Sequence, residues 1–167
     1  MKTFALTIVM LLICSVALAQ TTVTLETNLE GGKSLAALYS DNNFFGFAQY
    51  CEGGWWQAYA GATYSPTQWS QVALGVGTEA DGLRLGGWVW AGQGRYSFLH
   101  LFEQGGSGPW HKTMAMVKVN DSLNAGVIDR SFFGHGITAE YQLGGGSKLT
   151  GALYEGGVTT LALSHSF

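Results

Sequence analysis

The sequence predicts an all-β fold: a closed, antiparallel, up-and-down β-barrel with short turns and strands long enough to cross a membrane. Three observations predict it. Apolar and polar residues alternate repeatedly, and beyond the first twenty residues no ten-residue window sustains a capped helical period. Glycine accounts for 25 of the 167 residues and recurs in pairs or near-pairs without a strict repeat, which reads as turn punctuation. Charged residues make up 11% of the chain, well below the usual quarter, so a soluble domain's polar surface is missing.

The N-terminal segment has Lys2 ahead of an apolar run from Ala5 to Ala19, which closes on Ala17-Leu18-Ala19. That is the pattern of a secretory signal peptide cleaved after Ala19, and the run is short for a spanning helix. Residues 1–19 are therefore read as the signal peptide and residues 20–167 as one β-barrel domain. Cys14 lies in the apolar run, but the bulky Ile13 before it argues against lipidation. Cleavage leaves Cys51 as the single cysteine, so stability must come from packing and strand pairing. A net charge of -3 with scattered lysines and arginines gives no basic stripe, which excludes nucleic acid as a partner.

Strand signals follow along the chain. In 68–78, Val72, Leu74 and Val76 oppose Gln71, Ala73, Gly75 and Gly77. The pattern returns less cleanly in 121–125. It is clearest in 136–143, where Ile137, Ala139, Tyr141 and Leu143 oppose Thr138, Glu140 and Gln142. It appears again in 147–155, with Leu149, Gly151 and Leu153 on one face. Between strands lie turn formers such as Gly31-Gly32, Asp41-Asn42-Asn43, Gly53-Gly54, Gly92-Gln93-Gly94, Gly105 to Pro109 and Gly144-Gly145-Gly146. Glycine and asparagine supply the positive φ that tight hairpins need. The signals delimit about twelve strands of roughly nine or ten residues, or about ten strands if Pro66 and the 124–133 stretch merge neighbours. A tilted strand needs about 9–11 residues to cross a bilayer, whereas soluble strands are nearer five or six.

Closure follows from the physics of sheet edges. A meander leaves two open edges, and in hydrocarbon each unpaired backbone group costs several kcal/mol. Apolar residues then face outward and polar residues face the lumen. The turn count gathers Trp55, Trp56, Trp110, Phe132, Phe133 and Tyr154 near one rim, and Phe44, Phe45, Tyr64, Trp69, Trp88, Trp90 and Tyr96 near the other. Two aromatic girdles are what a transmembrane barrel carries.

The last segment, 157–167, places Leu161, Leu163, His165 and Phe167 on one face. It resembles the C-terminal strand of bacterial outer-membrane β-barrel proteins, a porin-like class. The resemblance implies an assembly signal in Leu161, Leu163 and the terminal Phe167, recognised by the barrel-assembly machinery, and an address in the outer membrane among its lipids. His165 departs from the apolar residue expected at its position.

Alternation turns Arg84, Arg95, Glu103, Lys112, Lys118, Glu140 and Lys148 toward the lumen, where they either interlock or line a wet path for small solutes. Twelve strands leave more room than the eight whose side chains fill a barrel. No zinc spacing joins His100, His111, His135 and His165, and Gly92-Gln93-Gly94 is too short for a nucleotide fingerprint, so neither metal nor cofactor is expected. His165 and Ser166 are adjacent in a strand and point to opposite faces, leaving no local Ser-His-acid set. The resulting expectation is a non-enzymatic, small passive channel or structural component of the outer membrane. The alternatives are a soluble secreted or periplasmic β-barrel binding a glycan or lipid, and an outer-membrane lipid-modifying enzyme, which requires His, Ser and a carboxylate to converge at one rim. Deleting Phe167 is predicted to lower the yield of inserted barrel in cells more than the stability of barrel already inserted; equal yields of truncated and full-length barrel would contradict the assembly role.

Overall fold

The computed structural model describes residues 21–29, 31–41 and 43–167. The proposed signal peptide lies outside them. Twelve strands run in chain order: β1 (Thr21–Asn28), β2 (Lys33–Ser40), β3 (Phe44–Cys51), β4 (Trp56–Thr67), β5 (Ser70–Glu79), β6 (Gly82–Gln93), β7 (Tyr96–Gly105), β8 (Gly108–Lys118), β9 (Leu123–Arg130), β10 (Gly134–Gly144), β11 (Ser147–Tyr154) and β12 (Thr159–Ser166). Each pairs antiparallel with its neighbours in sequence, and β1 pairs with β12 to close the barrel. The seam runs in continuous register from Thr22 opposite Ser166 to Asn28 opposite Thr160. Its inner face carries a hydroxyl ladder, with Thr22 Oγ1 2.8 Å from Ser166 Oγ and Thr24 Oγ1 2.8 Å from Ser164 Oγ.

The apolar side chains face outward. Leu74 is 61% exposed, Val127 59% and Ile137 63%, while Glu79 and Arg84 are each 2% exposed. This inversion fits a barrel whose solvent is hydrocarbon and removes the soluble reading, which needs the apolar faces inside.

The aromatic girdles are only partly as the sequence predicts. At the end of the barrel where β1 starts and β12 finishes, here called the base, Phe44, Tyr64, Trp69 and Tyr96 point outward, but Phe45 and Trp88 are buried within. At the opposite end, the mouth, Trp56 is outward, while Phe132 is exposed in the β9–β10 turn and borders the lumen. Tyr154 instead packs inside against Phe133, and Trp110 shares the inner face with Glu103. Position along a strand sets height and residue parity sets face, so a height assignment alone overfills both girdles.

Side chains fill two walls of the interior. Phe45, Tyr59, Ala73 and Trp88 form one cluster, with Phe45 and Trp88 ring centroids 4.5 Å apart at a 66° angle. Met114, Met116, Ile128, Ala152 and Tyr154 form the other. Inward-facing glycines make room for the first cluster. A Cβ on Gly86 would lie 2.8 Å from the Tyr59 ring, and one on Gly75 would lie 2.7 Å from the tip of Phe45. That is why the Leu85-Gly86-Gly87-Trp88 stretch is so bare: its strand runs beneath a large ring.

Candidate functional site

Inward parity and strand register gather the lumenal charges near the mouth. Arg84 stands between two carboxylates, with Nη1 donating to Glu79 Oε2 at 2.6 Å and Nη2 donating to Glu103 Oε2 at 2.6 Å. Glu103 also accepts from the Tyr59 hydroxyl at 2.8 Å, and Glu79 accepts from the Ser107 amide at 2.8 Å and the Ser107 hydroxyl at 2.7 Å. Satisfaction of every partner is what makes buried charge tolerable in this low-dielectric wall. The Trp55 ring lies over the Arg84 guanidinium at 5.6 Å.

A second pair sits across the lumen. Arg130 Nη1 donates to Glu26 Oε1 at 2.6 Å, and the guanidinium is flanked by Trp110 at 5.7 Å and Phe133 at 4.8 Å. Toward the base, Lys148 Nζ donates to Glu140 Oε1 at 2.8 Å. Lys112 lies directly across from Arg130 in the β8–β9 register and has no carboxylate within ion-pair distance among the described residues. Buried Gln57 Oε1 and Arg130 Nε likewise have no hydrogen-bond partner among them.

Five of the residues read from sequence as lumenal, Arg84, Glu103, Lys112, Glu140 and Lys148, thus share the inner face. The other two stand at the base. Arg95 occupies the β6–β7 turn, exposed, and its Nε donates to the Lys118 carbonyl at 2.9 Å. Lys118 pairs at 2.8 Å with Asp121 of the next turn. Parity ceases to define a face once the chain leaves the strand. Sequence reading missed Glu26, Glu79 and Arg130. Arg130 was within reach, since Asp129 and Arg130 are neighbours in a strand and one of them had to face inward.

The space these walls leave is continuous in its lining. A vestibule of about 300 Å³ at the mouth is bordered by Trp55, Gln57, Arg84 and Pro109. A lumenal cavity of about 550 Å³ reaches from Glu26 and Lys112 to Thr22 and Asp41 at the base. The two share Gln49, Glu103, Trp110 and Arg130 as lining residues.

No family model and no curated protein matches the sequence. Solved structures do. The barrel superposes on the KdgM porin with a TM-score of 0.63 at 11% identity, covering 89% of this chain and 99% of that one. The KdgM porin in complex with disordered oligogalacturonate gives 0.62, also at 11% identity and over the same shares. The NanC porin gives 0.53 at 11% identity, over 88% of this chain and 98% of that one. The fold is porin-like. At such identity the likeness is one of fold alone, and the chemistry has to be read from this chain's own residues.

One feature lies outside the lumen. On β7–β10 near the mouth the outward apolar band is broken by His100, His111, Thr113, Asp129, Ser131 and His135. His111 Nε2 is 2.8 Å from Asp129 Oδ2, and His111 Nδ1 is 3.0 Å from Ser131 Oγ. Here His, Ser and a carboxylate do converge at one rim. No local motif announces this, because His111 and Ser131 meet only through the β8–β9 pairing.

Replacing Arg84 with Ala leaves Glu79 and Glu103 buried without a counter-ion, a loss on the order of 3–5 kcal/mol. The variant is expected to lose its compact, heat-modifiable gel form at a lower temperature than wild type. An unchanged transition would show that the three charges do not brace the mouth.

Proposed function

We propose that the chain is a narrow outer-membrane channel for small polar solutes, and that extended anionic sugars are the class its lumen suits best. The observation that carries this reading is the vestibule and lumenal cavity adjoining at Trp110, Arg130 and Glu103 inside a closed barrel with an apolar exterior.

The lumenal charges arrange a path in two stages. At the mouth, Glu79 and Glu103 share Arg84, and their oxygens are already engaged by protein donors. Farther in, Lys112 stands beside Arg130 on the wall of the cavity, with no carboxylate at ion-pair distance among the described residues. Above the base, inner-face acids and bases are thus matched in number, as Glu26, Glu79, Glu103 and Glu140 against Arg84, Lys112, Arg130 and Lys148, and Asp41 adds an acid where the cavity reaches the base. Permeation therefore does not rest on a strong overall field; a local attraction for carboxylate or phosphate arises at Lys112. The flat faces of Trp55 and Trp110, with Gln49 and Gln57 between them, suit the alternating apolar faces and hydroxyl edges of a sugar chain. A porin of similar fold has been solved in complex with disordered oligogalacturonate, which makes that sugar a suitable probe of the class.

Reconstituted in planar bilayers, the barrel is expected to conduct, and oligogalacturonate is expected to block the current at lower concentration than a neutral oligosaccharide of equal length. Lys112→Glu is expected to shift the reversal potential in a salt gradient toward cations and to weaken that block. Conductance indifferent to the residue at position 112 would contradict the proposed path.

A further inference from the structure

We infer that Ser131, His111 and Asp129 form an acyl-hydrolase site on the lipid-facing surface of the barrel, acting on the ester of a membrane glycerophospholipid. The site is separate from the channel, because parity puts His111 and Asp129 outside while Lys112, Arg130 and Trp110 point in, and its hydrogen bonds to His111 hold the Ser131 side chain on the outer face.

The hydrogen bonds fix the roles. A carboxylate only accepts, so the 2.8 Å contact with Asp129 Oδ2 places a proton on His111 Nε2. In the neutral ring, Nδ1 is then the acceptor, and the Ser131 hydroxyl 3.0 Å away donates to it. The His111 amide donates to the same Ser131 Oγ at 2.8 Å, which holds the oxygen and favours its anionic form. His135 Nδ1 reaches the other oxygen of Asp129 at 2.9 Å, so the orienting acid is itself held from its far side. A hydroxyl, a base in the correct tautomer and an orienting carboxylate are the parts of a nucleophilic triad, recognised by geometry rather than by order in the chain.

The site's position selects its substrate. His111 and Asp129 are 43% and 36% exposed on the outer surface, near the mouth, where the headgroups of a bilayer lie. Ionisable groups on a lipid-facing surface are rare enough to mark function. On the same strands toward the base, the surface opens into an apolar groove of about 610 Å³ lined by Phe98, Ala115, Val117, Ala125 and Val127. The register makes it continuous with the triad, since Ala115 and Val127 pair with each other one row below Thr113 and Asp129. An acyl chain lying in this groove brings its ester to the level of Ser131. Among the described residues the Phe132 amide donates to no acceptor, and Phe132, which follows Ser131 directly, is their one non-glycine residue with positive φ, 73°. It is the donor available to a developing oxyanion.

In the reaction, Ser131 Oγ bonds to the ester carbonyl carbon as its proton passes to His111 Nδ1. The carbon–oxygen bond to the glycerol breaks, and that proton goes to the leaving alkoxide. Water then attacks the acyl-serine, giving one proton to His111 and through it back to Ser131 Oγ as the fatty acid departs. Ester and water become acid and alcohol, with no other reactant.

The test uses the full barrel, refolded in detergent and shown to be heat-modifiable. A long-chain alkyl fluorophosphonate is expected to add its phosphonyl group to Ser131, located by mass spectrometry. Phosphatidylethanolamine in mixed micelles is expected to release free fatty acid. Ser131→Ala abolishes both while leaving conductance intact, and Asp129→Asn lowers kcat on the order of 10⁴-fold with little change in KM. Ala115→Trp, which fills the groove, slows long-chain more than short-chain esters. A heat-modifiable wild-type barrel left unlabelled at Ser131, or a Ser131→Ala variant hydrolysing at the wild-type rate, would overturn the assignment.

Discussion

Closure of the backbone ladder between β1 and β12 is the constraint on which the rest of the structure depends. In hydrocarbon an unpaired amide or carbonyl finds no water, so the sheet either closes or cannot reside there. Seven consecutive pairs, from Thr22 opposite Ser166 to Asn28 opposite Thr160, close it. Once it is closed, parity divides every strand into a lipid face and a lumen face, and a one-residue slip would exchange the two throughout a strand. The hydroxyl ladder of Thr22, Thr24, Ser164 and Ser166 lies on the lumen side of the seam and rewards the correct register there.

Closure at twelve strands also decides what the interior can hold. The aromatic cluster around Phe45 and Tyr59 and the methionine cluster around Met114 occupy separate walls and are joined by Leu99, which packs against both. The space they leave is lined by apolar side chains such as Leu38 and Leu101 together with charged and amide side chains that hydrocarbon would refuse. Strand number, rather than any single residue, thus turns a set of buried ion pairs into the wall of a passage. The same closure places His111 and Asp129 on the opposite side of that wall, with Ser131 of the following turn bonded to His111, so the lumen and the outer cluster occupy neighbouring residues of β8, β9 and the β9–β10 turn.

The sequence made the strands legible because a period of two is a local property. Val72-Leu74-Val76 and Ile137-Ala139-Tyr141 announce their faces without reference to any partner. Closure fixes the seam as well, since a closed meander has only its first strand left to meet the one ending at Phe167. Other features depend on register, which no single strand contains. Arg84 finds Glu79 across a turn but Glu103 only through the β6–β7 pairing. His111 finds Ser131 through β8–β9, and two residues far apart in sequence carry no mark of that meeting. Face assignment failed where strands end: Arg95 has the parity of Glu103, yet it sits in a turn and caps a neighbouring carbonyl. Trp110 and Tyr154 were placed at the right height and given the wrong side, because height follows from distance to a turn and side does not.

The central claim is an inverted barrel with a wet lumen, and alternating thiol accessibility tests it most directly. With Cys51 replaced by Ser, single cysteines placed in turn at Leu161, Ala162, Leu163 and Ser164 of β12 are to be treated in liposomes with a charged, membrane-impermeant thiol reagent. The cysteines at 162 and 164 are expected to react and reduce conductance, while those at 161 and 163 stay unmodified. Uniform reactivity, or reaction at 161 and 163 alone, would contradict the claim.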